Sequence, residues 1–232
     1  MKSGIKTILT KLTSKETLSN PQVILMLALF ACFLFGLMFR EVIDEIWIEK
    51  KLLPLDAYIS NWMRQDQERH DQIIFIILTL LGSPKFLGIV TLLTSAYLFY
   101  RHRYWEGGVF AVGVALSSLG VYIVKLLTHR ERPVPDFPSI VEHSAAFPSG
   151  HAAMSLFVYG FCAYLISRQV HNRKHAVLVT IAGIGLAGMI GVSRLYLEMH
   201  WLSDVLGGFT LASAFLCLGI GILEAQRVHL NH

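Results

Sequence analysis

The sequence predicts an all-α fold, a polytopic membrane bundle of six transmembrane helices with an interfacial helical segment after the first. Hydrophobic residues make up 54% of the 232 residues, and the mean hydropathy is +0.54. Charged residues make up 16%, whereas soluble domains usually carry about 25%. The apolar residues fall in long runs, and a spanning helix needs about 20 mostly apolar residues. We therefore expect one integral membrane domain over residues 1–232.

The predicted spans follow one another along the chain. They cover residues 22–39, 85–100, 107–126, 152–167, 176–192 and 202–223. The basic N-terminus, residues 1–21, precedes an apolar run that lacks a clean cleavage site, so we interpret that run as a retained helix. A shorter apolar stretch, 72–81, ends at Gly82 and Pro84, which break a helix. We expect this stretch to pack down from the membrane surface toward the second span.

Residues 40–71, between the first span and the short stretch, mix charged residues with aromatic ones. Trp47, Tyr58 and Trp62 are interspersed with acids, bases and apolar residues. This composition favours an amphipathic helix that lies in the membrane interface. An ordinary solvated loop is the alternative interpretation.

The orientation follows from the basic residues of the short loops. If the N-terminus lies inside, its basic residues are cytoplasmic. The same side then holds Arg101, Arg103, Arg168, Arg173, Lys174 and Arg227. Both termini are then cytoplasmic. The outer side receives, besides the bases of the 40–71 segment and Lys85, the residues Lys125, Arg130, Arg132 and Arg194. The net charge of +4 comes with no basic stripe interleaved with aromatics, so we expect no nucleic-acid partner.

Three polar clusters would meet at this outer face. They are KLLTHRERP at 125–133, PSGH at 148–151 and SRLYLEMHWLSD at 193–204. Ionisable groups at membrane depth are costly and therefore indicate a functional site. The three cysteines lie in apolar runs without metal-ligand spacing, and we expect neither a metal nor another cofactor.

The bases and the helix start in these clusters suit an anion. Lys125, Arg132 and Arg194 together would hold a phosphate, although any one of them alone could be a base that snorkels to the lipid head groups. Ser149 can cap the fourth span, and Gly150 allows a ligand to approach the backbone. The N–H groups at a helix N-terminus also bind anions.

Two histidines accompany the bases. His200 and Asp204 are four residues apart, so they share one face of a helix. A carboxylate on one imidazole nitrogen fixes the tautomer and leaves the other free to attack. The alternatives are a surface pair, a core histidine or a metal ligand, although further ligands of suitable type are not evident. His151 stands on the first turn of the fourth span, beside the anion. Arg130 is a supporting or solvated loop residue with no assigned role.

The residues and their spacing resemble the three-part signature of the type-2 phosphatidic acid phosphatase and vanadium haloperoxidase superfamily. The matching parts are Lys125 with six residues before Arg132-Pro133, then Pro148-Ser149-Gly150-His151, then Ser193-Arg194 with five residues before His200 and three more before Asp204. The signature covers 125–204, and the six-span pattern extends the likeness to most of the chain. Residues before about position 70 carry no matching motif.

This resemblance implies a metal-independent phosphatase with its site between helices near the outer surface of the membrane. It implies that His200 attacks phosphorus and forms a phosphohistidine, that Asp204 orients His200, and that His151 protonates the leaving oxygen. It also implies that the phosphoryl oxygens are held by Lys125, Arg132, Ser149, Gly150 and Arg194.

The leading hypothesis is a lipid phosphatase of the bacterial plasma or inner membrane. Its first candidate substrates are undecaprenyl diphosphate and phosphatidylglycerophosphate; phosphatidic acid and lipid A are further ones. A lipid phosphotransferase with the same site is a rival, and a transporter of an anionic substrate is an alternative of another class, although it would hold its charges near the midplane. The oligomeric state is left open.

Overall fold

The computed structural model describes residues 20–65, 69–134 and 144–230, and in these ranges every regular element is a helix. The helices are α1 (Pro21–Trp47), α2 (Leu52–Gln65), α3 (Arg69–Leu81), α4 (Pro84–Tyr100), α5 (Tyr104–Thr128), α6 (Gly150–Ser167), α7 (Arg173–Tyr196) and α8 (Leu202–Leu230). The prediction of an all-α bundle is confirmed. Most of the predicted basic N-terminus, residues 1–19, lies outside the described residues.

Local sequence signals fix where several helices begin. Asn20 caps α1 by accepting a hydrogen bond from Gln22 N–H at 2.9 Å, and a proline opens that helix. Ser83 caps α4 in the same way, again with a proline in the first turn. Short polar side chains stabilise N-termini because they accept from backbone N–H groups that lack a partner within the helix.

Five of the described helices, α1, α5, α6, α7 and α8, are long and apolar enough to span a membrane. A sixth candidate span combines residues 72–81 of α3 with α4, two segments that are bent by 43° at the break between them. α4 alone has 17 residues and reaches about 26 Å, whereas the hydrocarbon core is about 30 Å thick. The short stretch packs at the start of the second predicted span, and by length and composition the two segments together form one candidate span.

The predicted interfacial segment, residues 40–71, contains parts of three helices. Residues 40–47 continue α1 to Trp47, and residues 69–71 belong to α3. Between them lies a separate helix, α2, which contacts α1, α7 and α8. Its Tyr58 and Trp62 are exposed while Asp56 is buried, so α2 has one face against the bundle and one face away from it.

The bundle is arranged around α6, and half of its most apolar stretch is buried. It contacts α4, α5, α7 and α8, while α1 packs along α8 at the periphery. Phe110 of α5 stacks near Phe161 of α6 with ring centroids 5.3 Å apart, and Phe157 lies one turn away. Large apolar side chains that are exposed elsewhere form the surface expected to face lipid.

The alternation of the helices brings distant polar residues to one end of the bundle. At this end, which we call the motif end, α5 and α7 finish at Thr128 and Tyr196 while α6 and α8 begin at Gly150 and Leu202. The opposite end holds the basic residues near Arg103 and Arg168, which pair with Glu106 and Glu224 respectively.

Candidate active site

A cavity of about 610 Å³ opens at the motif end among α4, α5 and α6. Five of the residues predicted for the site line it: Lys125, Arg132, Gly150, His151 and His200. The remaining wall is largely apolar and runs along α4 and α5. The structure thus brings parts of all three sequence clusters to one cavity.

His200 and Asp204 face each other, but they do not share a helix as the sequence predicts: His200 precedes α8, and Asp204 lies in the first turn of α8. Nδ1 of His200 lies 3.4 Å from Oδ2 of Asp204, and both side chains are buried. Asp204 Oδ2 also accepts a hydrogen bond from the backbone N–H of Trp201 at 2.8 Å. The contact is long for a hydrogen bond, and such contacts commonly tighten only when substrate binds. The other ring nitrogen, Nε2, is directed away from the carboxylate.

Arg132 is held against this outward nitrogen of His200. Its Nη1 lies 3.3 Å from Nε2 of His200 and donates to the carbonyl of Met199 at 2.7 Å. Its Nε donates to the carbonyl of Ser144 at 2.9 Å, and its Nη2 to the hydroxyl of that residue at 3.1 Å. An anion held by Arg132 would therefore meet the imidazole nitrogen directly.

Lys125 reaches the same cavity from the last turn of α5. Its Nζ donates to the carbonyl of Ala145, in the segment that leads into α6. The neighbouring Ala146 N–H donates to the carbonyl of Arg130 at 2.8 Å. These bonds hold the chain after α5 and the chain before α6 side by side, so two sequence clusters are fixed relative to each other.

The start of α6 is tied to α8 by its backbone. Ser149 is fully buried and caps α6 by accepting from Ala152 N–H, while its own N–H donates to the carbonyl of Asp204 at 2.9 Å. Gly150 lines the cavity at the first turn of the helix. Its position puts the positive end of the helix at the cavity, where it favours an anion.

His151, on the first turn of α6, lines the same cavity as His200. A side-chain carbon placed on Gly82 would come within 3.3 Å of the His151 ring, so the break between α3 and α4 borders this histidine. The same carbon would lie 2.4 Å from Ile190, which explains why the break has a glycine. His151 lines the cavity together with Lys125 and Arg132, two of the three predicted bases.

Arg194, the third predicted base, is buried at the end of α7 with 2% of its surface exposed. Its Nη1 donates to the hydroxyl of Thr79, on α3, at 2.9 Å. Sequence reasoning missed Thr79, because it lies in an apolar stretch 115 positions away and has no motif around it.

Two further residues at the site were not assigned from the sequence. Arg130 donates to Asp204 Oδ1 at 2.5 Å and to Asp56 Oδ2 at 2.7 Å. Each of these bonds joins residues 74 positions apart, so no local pattern predicts them. The one sequence signal for Arg130 is that it lies inside the first polar cluster, residues 125–133. Glu198, also buried, forms an ion pair with Arg64 of α2 at 2.9 Å.

The site combines groups that can bind an anion with two imidazoles. Lys125, Arg132 and the N-terminus of α6 line the same cavity as His200, and preorganised positive charge of this kind stabilises a phosphoryl group during transfer. Among the described residues, no group of three or more His, Cys, Asp or Glu side chains is placed to hold a metal ion.

Comparison with known proteins gives the same family by sequence and by fold. The model of the PAP2 superfamily matches residues 106–227. Phosphatidylglycerophosphatase B of Bacillus subtilis is 34% identical over 149 residues, which are 63% of this chain and 72% of that protein.

Two solved structures share the architecture. A transmembrane PAP2-type phosphatidylglycerolphosphate phosphatase from Bacillus subtilis superposes with a TM-score of 0.77 and 28% identity, over 84% of this chain and 96% of that one. Aquifex aeolicus LpxE superposes with a TM-score of 0.52 over 78% of this chain and 94% of that one; at 20% identity it shows the fold alone. With a family match over more than half of its length and a Bacillus relative at this identity, the chain belongs to the PAP2 superfamily and is an integral membrane phosphatase.

Proposed function

We propose that this protein is a lipid phosphatase that hydrolyses a lipid phosphomonoester or diphosphate through a phosphohistidine on His200. The observation that carries the proposal is the shape of the site. The bases Lys125 and Arg132 and both histidines line the polar end of a cavity whose remaining wall is apolar.

The apolar part of the cavity supports a lipid substrate. Its wall is formed on α4 by Leu87 and Leu92, on α5 by Val114 and Tyr122, and on α6 by Met154. Leu92 and Tyr122 are more than half exposed on the outside of the bundle, so the cavity borders the surface that would face lipid. A phosphate at the polar end would thus leave its hydrocarbon chain along α4 and α5.

In the proposed first step, Nε2 of His200 attacks phosphorus and forms a P–N bond while the ester P–O bond breaks. His151 donates a proton to the leaving oxygen. Lys125, Arg132 and Arg194, with Ser149 and the N–H groups at Gly150, hold the phosphoryl oxygens. Asp204 keeps the proton on Nδ1 of His200 and supports the positive charge that develops on the ring.

In the second step, water attacks the phosphohistidine. His151 now accepts a proton from the water, the P–N bond breaks and its electron pair returns to Nε2. Inorganic phosphate leaves, and both histidines regain their starting protonation. A lipid hydroxyl in place of water would make the protein a phosphotransferase, which is the rival function.

Phosphatidylglycerophosphate is the first substrate to test, because a relative of this chain is named for the phosphatase that acts on it. Undecaprenyl diphosphate is the second, since the cavity places no evident limit on an isoprenoid chain. We further propose that the motif end faces outward from the plasma or inner membrane and that both termini are cytoplasmic, because basic residues such as Arg101 and Arg173 gather at the opposite end.

The test measures inorganic phosphate released from purified lipids by the wild-type protein and by His200→Ala, in EDTA and without an added acceptor. We expect turnover by the wild-type protein, its loss in the variant, and no effect of the chelator. Activity that requires added magnesium would contradict the mechanism. If no phosphate is released under these conditions, and turnover appears only when an acceptor lipid is added, the protein is a phosphotransferase instead.

A further inference from the structure

The Asp204 carboxylate has its two oxygens bound to different partners. Oδ2 faces His200 and accepts from the Trp201 N–H, whereas Oδ1 accepts from Arg130 Nη1 at 2.5 Å. Asp204 is fully buried, so water does not compete for either oxygen. A carboxylate with both oxygens engaged cannot rotate freely, and Arg130 therefore determines which oxygen His200 meets.

Arg130 is itself fixed by a second buried carboxylate, that of Asp56. Arg130 Nη2 donates to Asp56 Oδ2 at 2.7 Å, and Arg130 Nη1 also donates to the Ser203 hydroxyl at 2.7 Å. The guanidinium carbon of Arg130, Cζ, lies over the Trp47 ring at 5.9 Å from its centre. Charged groups bridged in this way hold one geometry, because a planar guanidinium offers its donors in a rigid fork.

Asp56 also binds the first turn of α8 directly. Its Oδ1 accepts from the Ser203 N–H at 2.9 Å, and its Oδ2 accepts from the Ser203 hydroxyl at 2.6 Å. Asp56 is 3% exposed and lies on α2, outside every sequence cluster. One carboxylate from α2 thus holds both Arg130 and the residue that precedes Asp204.

The charges of this group favour the proposed chemistry. Two carboxylates, Asp56 and Asp204, share the single guanidinium of Arg130, which leaves one net negative charge behind His200. The ring of His200 becomes positive as Nε2 attacks phosphorus, so a negative charge at this place stabilises the transition state more than the resting enzyme.

We propose that Asp56 and Arg130 are positioning residues that hold the Asp204 carboxylate, and through it the His200 imidazole, in the orientation for attack. This inference rests on the proposed phosphohistidine mechanism. It also gives α2 a role, because Asp56 of this helix would hold Asp204 and His200 in place through Arg130.

The first test is steady-state kinetics of Asp56→Asn in full-length protein, with phosphatidylglycerophosphate as the probe. Asparagine keeps the shape but replaces one acceptor oxygen by a donor and removes the charge. We expect kcat to fall by about 10- to 100-fold with KM changed less than about twofold, because small misplacements of a reacting group cost about this much. Wild-type kcat in Asp56→Asn, or a rise in KM alone, would overturn the proposal.

Three variants separate positioning from general stability. Arg130→Lys keeps the charge but loses the planar fork of donors that holds both carboxylates in one geometry, so its kcat should fall, and Arg130→Met should lose more. Asp44→Asn removes an ion pair with Arg40 on α1, where Arg40 is largely exposed, and should keep wild-type kcat. Equal losses in Arg130→Lys and Asp44→Asn would contradict a positioning role.

A double-mutant cycle tests whether the effect passes through Asp204. If it does, Asp56→Asn should reduce kcat by less than about threefold in the Asp204→Asn background, since coupled residues are not additive. Losses that multiply would refute the proposal, and Arg130→Lys serves in the same cycle if Asp56→Asn does not fold. Full activity of His200→Ala would instead refute the proposed function, so the two failures are distinguishable.

Discussion

The close approach of α8 to the start of α6 makes Gly208→Ala a sharp test of the site geometry. A Cβ atom on Gly208 would lie 2.6 Å from the carbonyl oxygen of Ser149 and 3.2 Å from the backbone nitrogen of Ala153. Both neighbours are backbone atoms and cannot turn away as a side chain would. Gly208 lies one turn after Asp204, whose carbonyl accepts the Ser149 N–H.

The distances give the magnitude of the effect. Ordinary contact begins at 3.4 Å, so α6 and α8 would have to separate by about 0.8 Å to admit the methyl group. That shift separates His151 on α6 from Asp204 on α8. We expect kcat to fall by about 10- to 100-fold, and the free energy of unfolding to fall by about 1–3 kcal/mol.

The assay is phosphate release at saturating lipid, together with thermal unfolding in the same detergent. The matched control is Gly188→Ala on α7, because nothing lies within 4 Å of the atom it would add. The control should keep wild-type kcat and be as stable or slightly more stable, since alanine favours a helix over glycine. A Gly208→Ala enzyme with wild-type kcat would show that the contact between α6 and α8 does not set the catalytic geometry.

Two further predictions test the roles of His151 and of the cavity wall. His151→Ala should slow leaving-group release in a single turnover, the step in which His151 acts as an acid, by about 10²- to 10⁴-fold with a lipid alkyl phosphate but much less with an aryl phosphate, whose leaving oxygen needs no proton; equal losses of this first step with both substrates would contradict an acid role. Gly88 lines the apolar cavity and has nothing within 4 Å of an added carbon, so Gly88→Phe should raise KM for the lipid and leave hydrolysis of p-nitrophenyl phosphate unchanged. Gly36→Phe, on the exposed side of α1, is the control, and an identical change in both variants would argue against a chain in the cavity.

The spans were predictable because their signal is local. Hydrophobic length identifies a helix that can cross a membrane without reference to any other part of the chain. Ser149 as the cap of α6 was predictable for the same reason. The pairing of His200 with Asp204 was predicted from their spacing, but not for the right reason: His200 precedes α8, which begins at Leu202, and Asp204 meets it from the first turn of that helix.

The extent of the second span and the end of α1 could not be predicted from local sequence. The sequence predicts a span over residues 85–100, and the structure adds residues 72–81 of α3 to that candidate span at a bend of 43°. The sequence also assigns residues 40–47 to a separate segment after the first span, and the structure shows them as the continuation of α1 to Trp47. Whether two helical segments share one span depends on how they pack against α6 and α7.

The sequence by itself determined the helical membrane architecture, the family and the set of residues that could hold and attack a phosphate, because hydrophobic length, capping and fixed spacing are properties of neighbouring residues. Only the tertiary structure decided that Thr79 meets Arg194 and that Asp56 and Arg130 stand behind Asp204. Those contacts join positions far apart in the chain. They exist because close helix packing, at places such as Gly208, brings buried polar groups together, and burial requires each of them to find a partner.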